Sequence, residues 1–254
     1  MKYFKKLIKL IFSFFNLTIQ KDIQIDKITK KLINKSSPIV FDVGANIGQS
    51  ILRYRNIFED PIIHSFEPNP NAFKKLEEKF INEKNLFLNN VAIGENEEVL
   101  EFNISKKSSH SSFLTLNLNS QWLKNRAKSI GVNYLDYVEK KTPIKTTTLD
   151  EYAEKKNIEV IDVLKIDTQG FEDKVLIGAK NLIKNKRIKF IQLEIIFSNL
   201  YQNSPQIYDI EKSLIPFDYK LFGISKSDSL MSHYIFQSDF IYVQDEIYKK
   251  IISS

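Results

Sequence analysis

An apolar run ending on Asp42 passes into Gly44, Asn46 and Gly48 and then into a helical pattern, as FDVGANIGQS. Glycine lets the backbone turn sharply and approach a ligand closely, and asparagine tolerates the left-handed region better than most residues. The helix that follows offers unpaired N–H groups and the positive end of its dipole, which suit a carboxylate or a phosphate. Alone, such a bend is also how an ordinary strand enters a helix. One helix and one strand later stands Glu67, in HSFEPNP. In Rossmann-like sheets an acid at the carboxyl end of the second strand accepts hydrogen bonds from ribose hydroxyls, and ligands gather at the strands' carboxyl ends. Bend and acid together favour a nucleoside-containing cofactor, and a dinucleotide and S-adenosylmethionine satisfy that geometry equally.

Positioning these residues takes alternating strands and helices, which from residue 39 onward imply a parallel sheet covered on both faces. PIVFDV, PIIHSFE, LFLNNVAI, VIDVLKID and RIKFIQLEI read as strands, with DYKLFGI and FIYVQ as two last ones. GQSILRYRNIF, PNAFKKLEEKFIN and FEDKVLIGAKNLI read as helices, Asn69 capping the second with Pro70 at its first position. Thr148 and Glu151 have the spacing of a capping box that opens LDEYAEKK. Residues 97–104 read as an added strand with its partner at 142–147, and between them 105–121 is a long polar loop containing His110. Such loops within compact domains are usually functional or mobile. The expected organisation is a basic helical segment over 1–36 and an α/β domain over 37–254, with inserted strands and loop at about 97–147.

At 254 residues the chain suits one large domain. It has no cysteine, which excludes disulfides, thiolate zinc sites and cysteine nucleophiles, and three histidines leave little for a metal cluster; no metal site is expected. The formal charge of +6 is concentrated at one end. Residues 1–35 carry nine lysines against two acids, and the remainder has 28 basic residues against 29 acidic. A near-neutral body argues against a phosphate-backbone surface, so no nucleic-acid partner is expected. MKYFKKLIKLIFSFFNLTI has helical apolar spacing with a lysine edge and is too short and two-faced to span a bilayer. It either lies on an anionic membrane surface through residues 1–20 or packs its phenylalanines and isoleucines on the main domain. The expected location is the cytoplasm, with peripheral contact at the inner face of the membrane as the extension.

In this order and spacing, FDVGANIGQS, FEPNP, NNVAIGENEE, TTTLDEY and LKIDTQGFEDKVLIGAKNLI resemble the FkbM family of methyltransferases, over roughly residues 39–243. The resemblance implies a Rossmann-like class I methyltransferase fold, with the last strand antiparallel, and S-adenosylmethionine as methyl donor. It implies that Asp42, Gly44, Ala45, Asn46 and Gly48 surround the methionine part, that Glu67 holds the ribose diol, and that Asn90 and Val91 border the adenine. Asp167 would face the methyl and acceptor region. One departure stands out: the family often has an acid two residues after that aspartate, where this chain has Gln169. Gln169 cannot act as a carboxylate, and Glu172 reads as a first-turn acid stabilising its helix dipole.

A sulfonium donor already activates its methyl group, so the protein must align the acceptor and take its proton. The candidates for that base are Asp167, His110 and Glu194, the last at the end of the fifth strand. His110 is either a reactive group in a covering loop or a plain surface residue. His64 reads as structural, and His233 has no evident partner. Trp122, Tyr134 and Tyr137 either stack on a sugar ring or fill the core of the inserted region. The expected activity is O-methylation of a sugar, glycan or other small hydroxylated acceptor. A nicotinamide-dependent oxidoreductase or epimerase fits the bend and Glu67 as well, although no Tyr-x-x-x-Lys pair lies in a suitable helix. A non-catalytic membrane-surface assembly protein is the third reading, from the basic first helix and Gln169.

Overall fold

The computed structural model describes residues 25–225 and 235–253. The helix expected over the first twenty residues and His233 lie outside the described residues. Five strands, β1 (Ile39–Val43), β2 (Ile62–Phe66), β3 (Leu86–Asn89), β7 (Ile161–Ile166) and β8 (Ile188–Ile196), run parallel. With β9 (Tyr219–Ile224) and β10 (Gln237–Gln244) they make a seven-stranded sheet in the order β3-β2-β1-β7-β8-β10-β9. The last strand, β10, is antiparallel to both neighbours and is inserted between β8 and β9, as the family resemblance implies.

The two faces of the sheet are set by side-chain alternation along each strand. Phe41, Val43, Leu164, Ile166, Ile191 and Leu193 belong to one core. Their neighbours Val40, Val163, Phe190 and Ile241 belong to the other. Helices α1 (Ile25–Ile33), α2 (Gln49–Ile57), α3 (Pro70–Lys79) and α9 (Asp245–Ile252) cover the second face, with Ile33, Ile51, Tyr54 and Leu76 buried in it. The first face is covered by α5 (Leu149–Lys155), α6 (Glu172–Ile177), α7 (Lys180–Lys184) and α8 (Ile207–Leu214). Both faces are covered, so every residue of β7 is buried, including the charged Asp162 and Lys165, which are held by ion pairs.

The inserted region forms a second, three-stranded sheet. In it β5 (Val99–Ser105) pairs antiparallel with β6 (Val138–Thr147), and the two-residue β4 (Ala92–Ile93) pairs parallel with β6. A helix, α4 (Gln121–Ser129), closes this layer over Leu116, Leu123, Tyr137 and Tyr201.

Two expectations about the elements are corrected. LFLNNVAI is not one strand: it leaves the large sheet after Asn89 and joins the small one at Ala92, turning through Asn90 and Val91. FEDKVLIGAKNLI is not one helix but α6 and α7. The break falls at Gly178, where a Cβ would stand 2.0 Å from the Gly94 carbonyl oxygen. The Asp150 carboxylate then accepts the N–H groups of Asn181 and Leu182 at the start of α7. The caps behave as read: Asn69 accepts from Asn71 and Ala72, and Thr148 with Glu151 forms a capping box.

Candidate active site

Parallel strands deliver their carboxyl ends to one edge of a sheet, and β1, β2, β7 and β8 bring Val43, Phe66, Ile166 and Glu194 to that edge. After β1 the chain bends through Gly44 (φ 88°), Asn46 (φ 47°) and Gly48 (φ 85°). The N–H groups of Gly44 and Ala45 both donate to the Phe66 carbonyl, which pins the bend to the end of β2. A Cβ on Gly44 would stand 2.0 Å from the carbonyl oxygen of Asp167, so that crossing admits only glycine. Gly48 serves a different purpose. Its missing side chain makes room for Phe80 and Leu76, so it lets α2 and α3 pack.

Glu67, 6% exposed, turns into the bend. One carboxylate oxygen accepts the N–H of Asn46 at 2.7 Å and the other accepts that of Asn69 at 2.8 Å. Burial pushes its acid up to about 7 against the pull of those two N–H groups. Each oxygen of a carboxylate has two acceptor sites, so the pair can still take two hydroxyls from a ligand. The cavity in front is lined by Gly44, Asn46, Glu67, Asp167 and Gln169, with Phe66, Val91, Ile93, Phe113 and Phe171 as its apolar walls. An acid for a diol, a glycine cradle and an apolar slot form a set that fits a nucleoside with a charged tail.

The loop at 105–113 covers this cavity. Ser108, Ser109 and Ser111 line it, Ser108 donates to the Asn46 side chain, and Ser112 donates to the Gln169 carbonyl. His110 sits in that loop with its imidazole turned away: Nδ1 meets the Tyr137 hydroxyl at 2.7 Å, and the ring lies 5.1 Å from that of Trp122. Burial, and then Lys107 and Arg126, lower its pKa to about 3. His110 is thus not among the residues that line the cavity, as Asp167 is.

Those two acids are joined. The Gln169 amide donates to Asp167 Oδ1 and to Glu194 Oε2, both at 3.0 Å, while its own carbonyl accepts the Tyr201 hydroxyl. Gln169 holds this pose at φ 59°, a conformation rarely adopted by a side-chain-bearing residue. Gln237 donates to the other oxygen of Glu194. Burial, followed by repulsion from Asp167, raises the Glu194 acid to about 9. Glu172 is more than a dipole acid. It is buried, accepts from Thr168 and Gly170, and so holds the turn that presents Gln169.

Beneath the site is a buried lysine that motif reading passes over. Lys165 is 3.3 Å from Asp42 and 3.3 Å from Asp167, and donates to the Gly44 carbonyl. Burial works against its charge, but Asp167 and Asp42 outweigh it and keep it protonated. A lysine inside the strand pattern VIDVLKID was the available signal, since lysine is almost never fully buried without a partner. Of the eight residues expected around a cofactor, Gly44, Asn46, Glu67 and Val91 line the cavity. The other four stand behind it: Asp42 and Ala45 are buried, Gly48 packs on α3, and Asn90 donates to the Glu67 carbonyl.

The chain is similar to several known proteins. The family described as Methyltransferase FkbM domain matches residues 42–221. A 2-O-methyltransferase, NoeI, from Sinorhizobium fredii is 26% identical over 173 residues, which cover 67% of this chain and 68% of that protein. Among solved structures, an rRNA methylase from Streptococcus thermophilus aligns with TM-score 0.47 at 10% identity, covering 89% of this chain and 98% of that one. The fibrillarin pre-rRNA processing protein of Methanococcus jannaschii aligns with TM-score 0.45 at 11% identity, over 83% and 68%.

Proposed function

As a member of the FkbM methyltransferase family, to which this chain belongs, it takes its methyl group from S-adenosylmethionine, and we propose that the acceptor is a hydroxyl of a sugar or another small hydroxylated molecule. Family membership sets aside the nicotinamide-dependent reading and the non-catalytic one. The observation that carries the site assignment is Glu67, held by the Asn46 N–H at the mouth of the glycine bend. In this reading Glu67 takes the ribose diol, Gly44 and Asn46 flank the methionine part, and Val91 with Ile93 and Phe171 contacts the adenine. The bound donor supplies a methyl group already activated by its sulfonium.

The chain's own residues then align the acceptor and take its proton. Asp167 lines the cavity and is held from two sides by Lys165 and Gln169, which supports it as the base. Glu194, whose acid burial and Asp167 push up and whose two oxygens already accept from Gln169 and Gln237, is the less suited of the two to take that proton. The acceptor class is supported by the 2-O-methyltransferase relative. Isothermal titration with S-adenosylhomocysteine tests the donor site, and radiolabelled methyl transfer to saccharide fractions tests the acceptor. Saturable binding together with label on a saccharide hydroxyl is expected. Absence of donor binding at millimolar ligand overturns the site.

Among the described residues no helix is long and apolar enough to cross a membrane. The lysine-edged apolar stripe of residues 1–20 supports a peripheral contact with anionic lipid. Flotation on anionic liposomes with and without those residues tests it, and equal flotation of both forms removes the contact.

A further inference from the structure

A groove of about 780 Å³ opens beside the donor cavity, between α4 and the ends of β8 and β10, lined by Trp122, Arg126, Phe197, Asn199 and Phe236 among others. One residue separates it from the acid pair along the chain and in hydrogen bonding. Phe197 lies three residues beyond Glu194, and Phe236 precedes Gln237, whose amide donates to Glu194 at 2.6 Å. The N–H groups of Phe197 and Ser198 both donate to the Phe236 carbonyl, which closes the groove's end against that pair. On the other side His110, placed between two cavity-lining serines, carries its ring against Trp122. The groove and the donor cavity are thus linked through Gln237 and Glu194 on one side and through Trp122 and His110 on the other.

The groove's chemistry is aromatic floor, amide rim and unneutralised positive charge. Trp122, Phe197 and Phe236 offer flat apolar surface, and Asn199 with Asn125 offers amides. A mixture of this kind binds small polar rings with a few oriented hydrogen bonds. The helix α4, QWLKNRAKS, contains no acid. Arg126 lies over Trp122, its guanidinium carbon 6.0 Å from the ring centre, and its Nε is buried with no hydrogen-bond partner. Its polar neighbour, the Tyr137 hydroxyl, is uncharged, and among the described residues no carboxylate pairs with Arg126 or with Lys107. The ammonium of Lys107, in the loop before His110, is driven down by partial burial and then by the charge of Arg126. Like charges so placed are unfavourable until an anion joins them, and a guanidinium fork matches a carboxylate or a phosphate.

We propose that this groove is the acceptor subsite and that it takes an anionic saccharide, whose carboxylate or phosphate is held by Arg126 while its ring lies on Trp122. The proposal rests on the methyltransferase reading above and adds the charge of the substrate to it. Trp122 is the single tryptophan of the chain, so its fluorescence reports on the groove alone. The full chain, saturated with S-adenosylhomocysteine, is titrated with an oligogalacturonate, with glucose 6-phosphate and with neutral maltotriose.

Saturable quenching by at least one of the anionic sugars is expected, with maltotriose weaker by roughly tenfold or more. The two anionic arms distinguish a carboxylate from a phosphate. Arg126→Gln should abolish the preference for charge and Arg126→Lys should restore part of it. In the wild type the affinity should fall as sodium chloride is raised to about 0.5 M. Equal affinity for neutral and anionic sugars, a salt-independent affinity, or wild-type affinity in Arg126→Gln overturns the proposal. So does the absence of quenching by every sugar while S-adenosylhomocysteine still binds. Failure to bind S-adenosylhomocysteine in the wild type instead overturns the donor site.

Discussion

The carboxylate of Glu67 accepts the backbone N–H of Asn46 at 2.7 Å, across 21 residues of sequence. The acid at the end of β2 and the bend at the end of β1 therefore hold each other in place before any donor arrives. Preorganisation of this kind lowers the ordering cost of binding. Its cost is a buried acid pushed up to about 7.

Replacing Glu67 by alanine should weaken S-adenosylhomocysteine binding by roughly tenfold or more, because hydrogen bonds to a charged group are worth about 1.5–3 kcal/mol. The variant should also unfold at lower temperature, since the N–H groups of Asn46 and Asn69 lose their acceptor. Calorimetric titration and thermal unfolding read the two effects. Unchanged donor affinity would refute the site assignment.

The two bend glycines should separate function from stability. Gly44→Ala puts a methyl group on the Asp167 carbonyl at the cavity, and Gly48→Ala puts one against Phe80 and Leu76, away from it. Both positions have positive φ, so each substitution should cost more than about 1 kcal/mol. At a temperature where Gly48→Ala remains folded, its donor affinity should be near that of the wild type, whereas that of Gly44→Ala should be lost. Matching affinities in the two variants would contradict the assignment.

Three buried acids give the donor-free protein an unusual pH dependence. Burial lifts Glu67 and Glu172 from 4.5 to about 7, and Glu194 to about 9. The folded state binds these protons more tightly than the unfolded chain, so their contribution is complete below the unfolded value and is lost as the pH rises through 7 and then 9. Urea unfolding should show the decline. Glu194→Gln should remove its upper part, and an identical slope in that variant would count against the assignment.

His110 and His64 carry the opposite sign. Burial holds them at about 3 and about 4, below the ordinary 6.5, so the stability they contribute is present above 6.5 and lost as the pH falls through their folded values. The rate of methyl transfer should have no limb from His110 between about pH 5 and 8. His110→Asn should cost about 1 kcal/mol through the lost contact with Tyr137 and leave the shape of the pH–rate profile unchanged. A shifted profile would return His110 to the chemistry.

Gln169→Glu would place a third carboxylate between Asp167 and Glu194, where the amide now donates to both. Loss of those two bonds and the added repulsion should cost roughly 1–3 kcal/mol or more near neutral pH. The effect should shrink on acidification, as denaturant midpoints at two pH values would show. A variant as stable as the wild type at both values would contradict the bridging role.

The alternation of strands and helices, both caps and the place of Glu67 after the second strand were legible in the chain, because local patterns fix them. Apolar period, cap spacing and a bend between strand and helix act over a few residues and hold in any fold that accommodates them. The close approach of Gly178 to Gly94 was not legible, since the two are far apart in sequence. Nor was the division of FDVGANIGQS, in which Gly44 and Asn46 face the cavity while Gly48 faces α3. Glycine makes room in whatever direction the neighbours lie, and sequence does not say where they lie.

Residue order alone thus determined the family and the sheet edge at which the Gly44 bend meets Glu67. Which acid stays charged, which histidine turns away and which cations go unneutralised were settled by packing. Desolvation and the distance to opposite charge decide protonation, and both depend on which strands and loops come together rather than on any one segment. Lys165 between Asp42 and Asp167, and Gln169 between Asp167 and Glu194, exist as bridges only because β1, β7 and β8 lie side by side.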